Sequence, residues 1–85
     1  MKKNLFLLLA SVSVALSAEI KSVNFEGLNY LSEKVATDIS GLRIGDIITG
    51  ENTNAAISNL FAQGYFNDVY IKENGGNLTI VVSEK

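Results

Sequence analysis

The chain has 85 residues and a formal charge of −2, and it contains no cysteine, histidine, proline or tryptophan. That length holds one domain at most and buries only about 60% of its unfolded surface, so the core is small. The missing Cys and His exclude zinc fingers, disulfide frameworks, thiol nucleophiles, Ser-His-Asp triads and the common haem ligands, and with no basic run beyond Lys2-Lys3 the footprint of a nucleic-acid binder is missing.

Residues 1–18 have a basic start at Lys2 and Lys3, an apolar stretch, and small residues at Ser17 and Ala18. This is the grammar of a secretory signal peptide. The apolar stretch, residues 5–16, includes Ser11 and Ser13 and falls short of the roughly 20 residues that span a bilayer. Cleavage between Ala18 and Glu19 satisfies the small-residue requirement, although Leu16 is bulkier than the ideal alanine. No cysteine is available for lipidation at that point. The division expected is a signal over 1–18 and a single domain over 19–85. Without Lys2 and Lys3 the domain carries five basic and nine acidic residues, a net of −4. An exported domain without disulfides relies on local packing or on neighbouring domains.

The first element expected is a strand over 20–25, with Val23 and Phe25 on one face. Ser32 then caps a short helix through Glu33, Lys34, Val35, Ala36 and Ile39, its acids placed early as the helix dipole prefers. Residues 41–46 (GLRIGD) form a connector rather than a strand. From Thr49 the period turns helical, with Ala56, Ile57, Leu60 and Phe61 as the apolar stripe, Thr49, Asn52 or Thr53 as caps, and Gly64 at the C′ position. Residues 65–73 (YFNDVYIKE) alternate, setting Val69 and Ile71 against Asp68, Tyr70 and Lys72. Asn74-Gly75-Gly76-Asn77 is a hairpin turn, and Leu78, Ile80 and Val82 point inward from a last strand over 78–83.

Strand, helix, helix, strand, strand buries its apolar surface by laying two helices on one face of a three-stranded sheet. The fold class is α+β. The expected core is Val23, Phe25, Leu28, Val35, Ile39, Ile57, Leu60, Phe61, Val69, Ile71, Leu78, Ile80 and Val82. No chemistry-bearing constellation emerges alongside it. Asp38, Asp46, Glu51 and Asp68 lack the spacing of a paired-carboxylate hydrolase and read as solvated charges and caps. Ser32 and Lys34 mimic a Ser/Lys pair, but capping accounts for Ser32. Gly41-x-x-x-Gly45 lies in polar surroundings, where turn chemistry is the better account. Asn77-Leu78-Thr79 matches the glycosylation tripeptide yet opens a strand. With no phosphate-cradling loop and no metal-ligand spacing, neither catalysis nor a metal, a cofactor or a small-molecule substrate is expected.

What remains is the sheet, whose edges can accept an extended peptide without side-chain chemistry. Asp68, Tyr70 and Lys72 offer a mixed charged and aromatic face beside one such strand.

The pattern I-x-x-V-x-F-E-G-L over 20–28, followed by G-L-x-x-G-D over 41–46 and Q-G-Y-F-x-D-V over 63–69, resembles a POTRA domain. A signal peptide directly before such a module is similar to the N-terminal end of BamA-type outer-membrane assembly factors. The resemblance covers residues 20–84 and implies a three-stranded mixed sheet under two helices. It further implies a periplasmic location beside the outer membrane, with unfolded outer-membrane proteins, accessory subunits and adjacent POTRA modules as partners. The implied peptide-binding edge comprises Asp68, Val69, Tyr70, Ile71 and Lys72. A proline at Tyr70 is expected to abolish edge binding if that residue's amide faces outward. Since such factors carry several modules and a barrel, the chain is expected to be an N-terminal fragment of a longer protein. Other readings are a spacer module and a POTRA domain of a two-partner secretion or related transporter.

Overall fold

The computed structural model describes residues 18–85, so the signal reading of the preceding residues lies outside the described part. Alternating apolar and polar residues with a glycine pair between them produce a hairpin of β2 (Phe66–Asn74) and β3 (Asn77–Glu84). Gly75 and Gly76, at φ of 60° and 94°, supply the two positive dihedrals that a tight two-residue turn needs. On the other side of β3 lies β1 (Ser22–Glu26), parallel to it, with Val23 opposite Leu78 and Phe25 opposite Ile80. The sheet order is β1-β3-β2, so β3 is central and both β1 and β2 are edges. The sheet is mixed, as expected.

Helix α1 (Glu33–Ser40) starts where the Ser32 hydroxyl accepts the Val35 amide at 3.2 Å. Helix α2 (Gly50–Phe61) starts with a reciprocal cap. The Asn52 amide donates to the Thr49 hydroxyl at 3.0 Å, and the Thr49 amide donates to the Asn52 side-chain oxygen at 3.0 Å. Both helices cover the face bearing Leu78, Ile80 and Val82, α2 packing on β2 and α1 on α2 and β1. The architecture is α+β in the order β-α-α-β-β.

The core centres on Ile20, Leu42, Leu60, Phe66, Val69, Leu78, Ile80 and Val82, with Val23, Phe25, Leu28, Ile39, Ile57 and Ile71 half-buried around it. Two expected core residues are displaced. Val35 is 45% exposed and Phe61 42%, and the buried positions of the two helices are Ala36, Ser40, Ala56 and Leu60 instead. Gly64 also sits further out than expected: Ala62 is the C-cap of α2, and Gly64, at φ 78°, lies two residues beyond it.

The first strand begins later than the expected residue 20. Before it, the chain turns to the connector, where the Ile20 amide donates to Asp46 at 2.7 Å and the Ile20 carbonyl accepts from Gly45 at 2.8 Å. Glu19 bridges Ile47, and the Ala18 carbonyl accepts the Ile48 amide at 2.8 Å. The connector thus acts as an unlabelled pairing partner that buries Ile20 and Leu42. Ala18 and Glu19, between which cleavage is expected, both belong to this short ladder.

Candidate functional site

Which backbone amides an edge strand offers depends on parity. A two-residue turn makes Asn74 and Asn77 a hydrogen-bonded pair, and bonded pairs recur at every second residue of an antiparallel ladder. Lys72 opposite Thr79 and Tyr70 opposite Val81 are therefore bonded pairs whose amides face β3. Val69, Ile71 and Glu73 direct theirs away from the sheet. Of the five residues expected at the site, Val69 and Ile71 present donors outward. Tyr70 and Lys72 spend theirs inside the sheet, and Asp68 adjoins the bulge where register shifts between Phe66 and Asp68. That bulge places both Phe66 and Val69 in the core, which strict alternation forbids. Glu73 is a third outward amide that residue pattern alone overlooked, although turn length and parity contain it.

Beside this edge runs a groove of about 460 Å³, walled by Ile48, Thr53 and Ile57 on the helix side and by Ile71 and Glu73 on the strand side. Side chains of an added strand that share the inner face with Ile71 would enter it. The opposite face is polar and open. Tyr70 is 49% exposed, and Lys72 reaches across β3 to within 3.7 Å of the Glu26 carboxylate.

The β1 edge is different. There the Phe25 amide donates to the Glu33 carboxylate at 3.1 Å, so the first turn of α1 occupies an edge donor. Glu33, expected to serve only the helix dipole, is a sheet-edge cap.

At the far end of β3 the Glu84 carboxylate accepts the amides of Asn29 at 2.5 Å and Tyr30 at 3.1 Å. The Asn29 bond above all holds this carboxyl below the ordinary glutamate range. Tyr30, 89% exposed, and Tyr65, 52% exposed, flank this clamp.

The fold is a small α+β module of two helices on a three-stranded mixed sheet. The family model named POTRA, described as surface antigen variable number repeat, matches residues 18–85, and the chain belongs to the POTRA family. It is similar to the N-terminal domain of Omp85 from the thermophilic cyanobacterium Thermosynechococcus elongatus, at 25% identity and a TM-score of 0.69, covering 80% of this chain and 31% of that one. POTRA1-3 of the periplasmic domain of Omp85 from Anabaena matches in fold at 18% identity and a TM-score of 0.65, covering 80% of this chain and 34% of that one. POTRA1-2 of the same Anabaena domain matches at 14% identity and a TM-score of 0.66, covering 81% and 47%. The chain thus spans about a third to a half of these solved relatives.

Proposed function

We propose that the chain is a non-catalytic periplasmic POTRA module of a BamA-like outer-membrane protein assembly factor. In this reading it receives extended segments of unfolded outer-membrane proteins, or of accessory subunits, as a fourth strand on β2. The observation that carries the reading is the contrast in edge donors: Val69, Ile71 and Glu73 offer theirs beside an apolar groove, while α1 occupies the Phe25 donor at the other edge. Barrel strands alternate apolar and polar residues. An added strand of that pattern places its apolar side chains over Ile57 and Ile71 and its polar ones beside Asp68 and Lys72. Backbone hydrogen bonds supply most of the recognition, each worth about 0.5–1.5 kcal/mol net, so a strand of a few residues binds weakly and exchanges readily.

Amide hydrogen exchange of the labelled chain tests this, with and without a peptide from an outer-membrane barrel strand. The expected result is new protection at Val69, Ile71 and Glu73, with Tyr70 and Lys72 protected in both states. Protection that ignores this parity, or none at all, rejects strand addition; in the second case the module serves as a spacer between its neighbours.

A further inference from the structure

We infer that the order of charges along β2 sets the direction in which an added strand docks, so that its ligands are alternating segments with an acidic and a basic residue four positions apart. The inference rests on strand addition at β2 and names what that edge reads. Asp68, Tyr70 and Lys72 pair with Ser83, Val81 and Thr79 at alternate positions of the ladder, so their side chains share the sheet face opposite the helices. All three are exposed. The strand thus presents a negative group at one end, an aromatic ring in the middle and a positive group at the other. Both charges are available to a ligand. Asp68 takes part in neither ion pair of the described residues, and the pair that engages Lys72, with Glu26 at 3.7 Å, is more than half exposed on both sides and holds the ammonium weakly. Glu73, the other charge of this edge, belongs to the groove face, where its carboxylate accepts the Gly76 amide at 3.1 Å, so it does not interrupt the pattern.

Added antiparallel to β2, a segment lies with its N-terminal end beside Lys72 and its C-terminal end beside Asp68; added parallel, it lies the other way round. The outward donors of Val69, Ile71 and Glu73 serve either direction, and the backbone by itself discriminates only slightly. Side chains decide the choice. Opposite charges across neighbouring strands attract, and like charges directly opposite repel. A segment whose acid precedes its base is therefore held antiparallel, and one whose base precedes its acid is held parallel. In both cases the apolar residues at alternate positions enter the groove beside Ile57 and Ile71.

The test uses two peptides of equal composition, one in the order acid, apolar, tyrosine, apolar, base and the other with acid and base exchanged, each carrying a nitroxide at its N-terminus. They are added to the isotope-labelled full chain, where the amide signals of Asp68 and Glu73, roughly 17 Å apart along an extended strand, report which end the nitroxide reaches. The acid-first peptide is expected to erase the Glu73 signal and spare Asp68, and the base-first peptide to do the reverse. The double variant Asp68→Lys, Lys72→Asp, which keeps the net charge, is expected to exchange the two outcomes. Loss of the same signal with both peptides, equal loss of both signals, or a folded double variant that keeps the original pattern would overturn the inference and leave strand addition standing. If neither peptide protects any β2 amide from exchange, strand addition fails and this inference fails with it.

Discussion

The two edges of the sheet are made from similar strands and treated in opposite ways. On β1, a glutamate in the first turn of α1 accepts the Phe25 amide, and the helix packs alongside. On β2, three outward amides run beside a groove, and only charged neighbours, Asp68, Lys72 and Glu73, stand against indiscriminate pairing. An exposed edge is a liability that proteins cover, charge or shorten. This domain caps one outward donor of β1, at Phe25, and leaves β2 to its charged side chains; the longer strand, nine residues against five, is the uncapped one. The contrast is between an edge strand with a capped outward donor and one whose outward donors face solvent.

The largest perturbation expected is Gly27→Ala, just after β1. Gly27 has φ 97°, and an added Cβ would lie 2.0 Å from the Val82 carbonyl oxygen of β3. Backbone strain alone costs about 1–3 kcal/mol, and the collision adds to it. Urea denaturation is expected to show severe destabilisation, whereas the same substitution at Gly50, which has open space around it, is expected to be mild.

Next comes a pair of prolines on β2. Tyr70→Pro removes an amide that faces β3 and leaves a ladder carbonyl without its donor, costing about 1–3 kcal/mol of stability. Ile71→Pro removes an outward amide. It is expected to abolish peptide binding with a smaller loss of stability, measured by denaturation and peptide titration of both variants. Equal behaviour of the two would break the parity argument.

Glu33→Gln weakens the cover on the other edge. Stability is expected to fall by about 0.5–1.5 kcal/mol, and exchange at the Phe25 amide is expected to quicken, making β1 more like β2. Unchanged exchange there would show that Glu33 does not close the edge.

The smallest effect is that of acid on Glu84. Its carboxyl lies below the ordinary range in the folded chain, so its contribution is fully present above the unfolded value and is lost as pH falls through the folded one. NMR titration is expected to show the Asn29 and Tyr30 amides moving together in acid, below the pH at which an unperturbed glutamate titrates. Amides that titrate at the ordinary value would show that the clamp is not formed.

Much of this molecule was legible in the residues. Ser32 and Thr49 announce their helices, Asn74-Gly75-Gly76-Asn77 announces the hairpin, and Leu78, Ile80 and Val82 declare the buried face. The differences have separate physical causes. Val35 and Phe61 belong to apolar stripes by period, but the faces the helices bury carry Ala36 and Ala56. Phe66 lies on the wrong side by alternation until the bulge corrects it. The proline test at Tyr70 is conditional on an outward amide, and that amide faces β3 by a parity that is set from the turn.

The sequence by itself determined the α+β class, the element order, the caps, the turn and the family, because each is written in groups a few residues apart. Only the tertiary structure decided that β3 is central, that Glu33 caps a donor of β1, and that Glu84 holds a loop 55 residues away. Those choices are made by chain closure. Hydrogen bonds between distant groups form only after packing has brought them together, and no local preference of the residues involved contains that geometry.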